Sequence, residues 1–313
     1  MPLSIIFGPV TSRRFGISLG VDLSPKGKQC NFDCLYCELA KAKPVASMEE
    51  VVPLEEVIDA IKEGLRAHPQ STFITLTANG EPTLYPHLEA LIKAIKALHV
   101  KQKILLLSNG STIMMPHVQR AIRDVDVVKL SLDSVMPKAF QKLDRPHKGI
   151  DVAQVVEGME AFAKTFPHTL ILEILVVKGV NDTPEEFKAL NAVIGRIKPA
   201  RVDVGTIARP PAYGVLGVGE EELRALAALI EQVPVTVPWK ATYAGVLDYT
   251  KEELLALLQK RPQSQEDVNH SFSPQSLQRL EELLEEKKVT VSTVAGMVFY
   301  RGETGVKKIL QKV

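Results

Sequence analysis

The sequence predicts an α/β chain: an open, partial (β/α)6 barrel of TIM-like build, followed by a small C-terminal winged helix-turn-helix domain. Three observations predict it. From residue 17 to about 206, short β-branched apolar runs alternate with longer stretches of 3.6-residue periodicity. Several short runs are apolar along most of their length, as expected when helices cover both faces of a parallel sheet. After Trp239 the pattern changes to three helical segments and a hairpin signal.

The strands fall at residues 17–22, 72–78, 104–108, 127–132, 170–177 and 202–207. Between the first two, Pro53 takes a first helical position, with Val57, Ile58, Ile61 and Leu65 as the apolar stripe. After the second strand, Pro86 precedes a stripe of Leu88, Leu91, Ile92, Ile95 and Leu98. Thr183 and Glu186, with Pro184 between them, read as a capping box opening a helix that buries Phe187, Leu190, Val193, Ile194 and Ile197. Six such units imply parallel strands joined by right-handed crossovers. Six are too few for a closed eight-stranded barrel, and chemistry belongs at the C-terminal strand edge. The barrel is assigned residues 1–240. Residues 250–313 read as helices at 251–258 and 264–270, a third capped by Ser273 with Pro274 in its first turn, and strands at 289–293 and 297–301 about an Ala295-Gly296 turn. This winged-helix outline carries ten basic and nine acidic residues, so nucleic-acid contact, peptide recognition, dimerisation and simple packing all remain open for it.

Composition narrows the function classes. The 313 residues carry 38 Lys+Arg against 37 Asp+Glu, a net charge of +1. A broad polyanion-binding surface is therefore absent, and any nucleic-acid contact must be local. Aromatics make up 5% with one Trp, too few for a long base-stacking platform. No run approaches the ~18 uninterrupted apolar residues of a membrane span; Glu173 interrupts the best one. Arg13 and Arg14 follow the short N-terminal apolar run, the wrong order for a signal peptide, so a cytoplasmic location is expected. Three cysteines packed into one loop are no disulfide framework.

That loop carries the chemistry. Cys30, Cys34 and Cys37 fall within eight residues directly after the first strand. Structural zinc takes four protein ligands, and the chain has no fourth cysteine and no histidine before His68. Three packed thiols or a histidine-completed zinc remain readings of the residues alone. A 4Fe-4S cluster held by three cysteines accounts for them better, and it leaves one iron open to a small ligand.

The Cys-x3-Cys-x2-Cys spacing, with Tyr36 before the last Cys, resembles the radical S-adenosylmethionine (SAM) superfamily over about residues 5–235. Gly8-Pro9-Val10, Ser12-Arg13-Arg14, Ser18-Leu19-Gly20-Val21 and Asn31-Phe32-Asp33 resemble its wyosine-synthase-like branch, which acts on tRNA and has members with a C-terminal winged helix. The resemblance implies a 4Fe-4S cluster and SAM as cofactors. It further implies reductive SAM cleavage to methionine and a 5′-deoxyadenosyl radical that takes hydrogen from a substrate carbon, and an electron donor such as flavodoxin or ferredoxin. Gly80-Glu81-Pro82, after Asn79, is similar to the segment that receives the methionine amino group. Asn109, Ser131 and Asp133 are expected at the ribose or carboxylate of SAM, and Tyr36, Glu173 and Asn181 near its adenine. No cysteine is left for the additional cluster of wyosine synthases, which turns the expectation towards a different RNA or tRNA modification.

Basic residues Arg13, Arg14, Lys26, Lys28, Lys41 and Lys43 flank the cysteine loop against Asp22, Asp33 and Glu38, while Arg145 and Arg209 follow the fourth and sixth strands. One rim holding them suits an anionic substrate or the SAM carboxylate, and Arg145 and Arg209 are the substrate candidates. The residues name no catalytic acid or base. The same chemistry on a protein, peptide or small molecule is the second reading, and an iron-sulfur redox-sensing transcription regulator the third.

Overall fold

Eight strands lie side by side in chain order, and from the second onward all neighbours run parallel. The computed structural model describes residues 4–12, 15–239, 245–294 and 297–303. Arg13, Arg14 and the Ala295-Gly296 turn lie outside the described residues. An edge hairpin comes first, β1 (Ile6–Ser12) pairing antiparallel with β2 (Gly16–Asp22). There follow α1 (Leu54–Ala67), β3 (Phe73–Thr77), α2 (Leu88–Ala97), β4 (Lys103–Ser108), α3 (Pro116–Ala121), β5 (Val127–Ser131), α4 (Pro137–Leu143) and α5 (Val152–Thr165). The barrel ends with β6 (Thr169–Val176), α6 (Pro184–Ile197), β7 (Arg201–Thr206), α7 (Glu220–Ala227) and β8 (Val235–Thr236).

The six expected strands correspond to β2–β7. The sequence reading missed β1, whose Pro9 interrupts the strand pattern and is tolerated only at an edge or bulge. It also missed β8, only two residues long. Two helix starts differ in detail. Pro53 is the residue before α1 rather than its first helical residue. Thr183 caps α6 through Glu186 N–H, but the Glu186 carboxylate accepts from Ser134 Oγ at 2.7 Å instead of returning to Thr183. Only half of that capping box forms.

Strand alternation sorts the side chains onto two faces. Val21, Leu76, Leu106, Leu130, Leu172 and Val204 meet the helices in the main core, each buried side chain contributing ~1.5–3 kcal/mol. On the opposite face Leu105, Val127 and Ile171 form a smaller cluster with Phe15 and Phe73. The same face carries Lys129, Glu173 and Asp203 one step further along the strands.

The C-terminal residues form α8 (Lys251–Lys260), β9 (Gln263–Ser264), α9 (Gln265–Ser271), α10 (Pro274–Glu285), β10 (Val289–Val294) and β11 (Met297–Gly302). Their antiparallel sheet has the order β10-β11-β9. Thr250 and Ser264 each close a full capping box, which sharply defines the starts of α8 and α9. This unit has its own core of Leu254, Leu258, Val268, Phe272 and Leu283, and Val10 of β1 belongs to it. Tyr249 Oη donates to Pro9 O at 2.8 Å across the same contact.

Candidate cofactor site

The loop after β2 holds the three cysteines as free thiols, each half-buried. Its backbone is pinned from several sides. Asp33 and Leu35 N–H groups donate to Asp144 and Leu143 carbonyls at 3.1 and 2.8 Å, and His147 N–H donates to Asn31 O at 2.7 Å. Ala212 N–H, from the loop after β7, donates to Cys37 O at 2.8 Å. The sulfurs have donors of their own: Phe32 N–H lies 3.4 Å and Asn109 Nδ2 3.7 Å from Cys30 Sγ. Cys34 Sγ is 3.5 Å from Asp144 Oδ1. Burial pushes all three thiols up, Cys30 to about 12, while the Lys28 ammonium counteracts it at Cys37.

Buried thiols of this kind give up their protons to a metal charge rather than to water. Three thiols on one loop with no fourth cysteine in the chain fall short of a four-ligand structural zinc site and suit a three-cysteine 4Fe-4S cluster.

Gly80 explains how the loop after β3 meets this site. It bridges in parallel to Gln29, with φ at +144°. A Cβ on it would stand 1.9 Å from Gln29 O and 3.0 Å from Cys30 N. Two further bonds, Gln29 N–H to Asn79 O at 2.8 Å and Glu81 N–H to Gln29 O at 3.1 Å, complete the seam. Glu81 beside it is 1% exposed. Its carboxylate accepts from Thr83 N–H, Thr83 Oγ1, Ser108 Oγ and Asn109 N–H at 2.6–3.0 Å. Pro82 opens a single 3-10 turn that Glu81 caps.

Tyr36, Asn109, Ser131 and Asp133, all expected at SAM, line one small pocket of about 10 Å³, room for about a single water. Phe32, Leu132, Phe140, Asp144 and Val155 complete its wall. Tyr36 Oη donates to Asp133 Oδ2, and Leu175 N–H donates to Asp133 Oδ1 at 2.7 Å. Burial pushes the Asp133 carboxyl up to about 7 and the neighbouring Asp144 carboxyl up as well. Asn109 also donates to Asn31 Oδ1 at 2.8 Å, tying the β4 end to the cysteine loop.

The remaining expected residues do not line that pocket. Asn181 is fully buried; it donates to Asp133 O and Leu175 O and accepts from Val177 N–H. Glu173 faces Lys129, whose Nζ lies 2.5 Å from one carboxylate oxygen and 3.3 Å from Asp203 Oδ2. Arg209 Nη1 reaches Glu38 Oε1 at 2.6 Å. Arg145, in the left-handed region at φ +47°, stacks its guanidinium 4.7 Å from the Tyr213 ring centre, and Lys41 lies 4.3 Å from the same ring. Tyr213 Oη donates to Asp33, which Lys28 meets at 2.7 Å and Arg145 at 3.9 Å.

Asp144, Tyr213 and Lys129 were missed by the sequence reading. Asp144 meets Cys34 across 110 residues, and no local pattern announces such a contact. Lys129 did leave a signal: a lone charge at an alternating position of an apolar strand must find a partner across the sheet.

The sequence profile of the radical SAM superfamily matches residues 24–190. The chain is 42% identical over 301 residues to a UPF0026 protein of Helicobacter pylori, covering 95% of this chain and 97% of that one. A UPF0026 protein of Methanocaldococcus jannaschii is 26% identical over 311 residues, covering 95% and 96%. Among solved structures, a radical SAM methyltransferase from Sphaerobacter thermophilus aligns with a TM-score of 0.56 at 17% identity, over 70% of this chain and 66% of that chain. At that identity the likeness is one of fold.

Proposed function

The chain belongs to the radical SAM superfamily, with the UPF0026 proteins as full-length relatives, and from that premise we propose that it modifies an RNA substrate, tRNA included. As a family member it is an enzyme that uses a 4Fe-4S cluster and SAM. The reduced cluster, when bound, supplies the electron that splits SAM into methionine and a 5′-deoxyadenosyl radical, which takes a hydrogen atom from a substrate carbon.

The chain's own residues bind and orient. Cys30, Cys34 and Cys37 would hold the 4Fe-4S cluster. Tyr36, Asn109, Ser131 and Asp133 line the small pocket assigned to the SAM side, beside the apolar Phe32, Phe140 and Val155. Glu81, expected at the methionine amino group, also ties the ends of β3 and β4 together through Thr83, Ser108 and Asn109, and Asn181, expected near the adenine, holds Asp133 O and Val177 N–H. Glu173 is the register partner of Ser131 on the neighbouring strand, and stays assigned near the adenine. The order of α8, β9, α9, α10, β10 and β11 supports a winged-helix reading of the C-terminal unit as the RNA handle. The reducing cytoplasm and a flavodoxin- or ferredoxin-type donor suit the cluster. No described helix is long and apolar enough to cross a membrane.

One observation carries the RNA reading. Lys28 and Arg145 pair with Asp33, and Arg145 and Lys41 lie over the Tyr213 ring, beside the Cys37 end of the loop. Lys28 is buried in its pair, whereas Arg145 and Lys41 are exposed and suit phosphate groups. A protein, peptide or small-molecule substrate is the second reading, favoured by the ten basic and nine acidic residues of the C-terminal unit. Family membership sets the regulator reading aside. The test supplies reconstituted, reduced enzyme and SAM with RNA, protein and small-molecule fractions from deuterium-grown cells. Deuterium in 5′-deoxyadenosine from the RNA fraction supports the proposal; deuterium from another fraction alone overturns it.

A further inference from the structure

We propose that the C-terminal unit is a working part of the cofactor site, and that Lys260 at the end of α8 is a positioning residue for the cysteine loop. This rests on the radical SAM reading and extends it to residues outside the barrel.

Lys260 Nζ lies 2.5 Å from Asp22 Oδ2, with the two side chains 10% and 2% exposed. Asp22 is the last residue of β2, where the cysteine loop begins. Its other oxygen, Oδ1, accepts from Ser24 N–H at 2.9 Å and Asn79 N–H at 2.8 Å. One carboxylate thus holds the first turn of the cysteine loop and the entry to the Gly80 segment. The bonds continue inward. Ser24 Oγ donates to Gly27 O at 2.7 Å, and Gln29 Nε2 donates to Ser24 Oγ at 2.8 Å. Gln29 is the residue that Gly80 presses against, one position before Cys30.

A bare carboxylate at the Asp22 position, buried without its ammonium partner, would draw in water or rotate towards it. Either movement releases the Ser24 and Asn79 N–H groups together. Lys260 removes that cost from a helix about 240 residues away in sequence. At the far end of the loop, Arg301 of β11 donates from Nη2 to Glu38 O at 3.2 Å, one residue after Cys37. The C-terminal unit therefore grips both ends of the segment that carries the three thiols.

Positioning partners of this kind are worth ~10–100-fold in ligand affinity or activity. The test uses the full chain, loaded anaerobically with iron and sulfide, in wild-type, Lys260→Met, Lys260→Arg and Arg301→Ala forms. SAM affinity is read from its perturbation of the cluster's electron paramagnetic resonance signal, beside iron content and thermal melting. The proposal expects Lys260→Met to bind SAM at least tenfold more weakly, Lys260→Arg to restore affinity to within about threefold, and Arg301→Ala to lower it about threefold with unchanged melting. Wild-type SAM affinity in Lys260→Met overturns it. If Lys260→Met does not fold, Arg301→Ala decides: lowered affinity supports the proposal and wild-type affinity overturns it. A wild-type chain that binds no cluster removes the radical SAM reading itself, a distinguishable failure.

Discussion

Gly80 lies so close to Gln29 that the two backbones occupy the space a side chain would need: a Cβ on Gly80 would stand 1.9 Å from Gln29 O. The contact ties the loop after β3 to the residue preceding the first thiol. It gives this glycine a structural reason independent of any bound molecule, because only glycine combines the +144° φ with such an approach.

Gly80→Ala displaces the Gln29–Cys30 segment while leaving the helices untouched. Iron bound after anaerobic reconstitution is expected to fall severalfold, with helical circular dichroism preserved. Wild-type iron content in this variant contradicts the geometry.

Lys129 is the cation between Glu173 and Asp203 on the inward face of the sheet. Lys129→Met removes this cation from both carboxylates, while Arg201 still meets Asp203 at 2.9 Å. Removing one partner of a buried ion pair costs ~3 kcal/mol or more. Chemical denaturation is expected to show a loss of that order, whereas an exposed control such as Lys93→Met stays within ~0.5 kcal/mol.

The contact between α8 and the barrel has an acid signature. The hydrogen bond from His68 holds the Glu253 carboxyl below its ordinary range, against the opposing effect of burial. A depressed carboxyl adds stability above its unfolded pKa of ~4.3 and loses it as pH falls through its lower folded value. The pair is partly exposed and is worth ~0.5 kcal/mol. His68→Ala should therefore melt ~1–2 °C below wild type at pH 6, and the gap should close below about pH 4. A gap that widens in acid contradicts the assignment.

Salt dependence reports the cation group around Asp33. If RNA phosphates contact Arg145 and Lys41, each Gln substitution lowers the slope of log K against log salt by about 1 and weakens binding at low salt. Binding that does not respond to salt, or slopes unchanged in both variants, contradicts an RNA contact there.

Much of this architecture was legible in the residues, for definite reasons. The parallel strands showed because both faces are covered, so β2 to β7 are apolar runs bounded by helices with strong stripes. The thiol loop showed because its spacing is local. Tyr36, Asn109, Ser131 and Asp133 were named by motif, and the structure brings them to one small pocket. What stayed hidden is what depends on distant partners: Asp144 under Cys34, Tyr213 between Lys41 and Arg145, and Lys260 against Asp22. Those pairings arise when strands converge, and periodicity carries no record of them. The same limit applies to the partners of Glu81 and Asn181, such as Ser108 and Asp133, which lie at the ends of other strands.

The most direct measurement is anaerobic reconstitution with iron and sulfide, followed by dithionite and SAM. The account predicts a 4Fe-4S absorption spectrum and 5′-deoxyadenosine from the wild-type chain, and neither from a variant with Cys30, Cys34 and Cys37 all changed to Ala. A wild-type chain that forms no 5′-deoxyadenosine, or a triple variant that still forms it, would contradict the account.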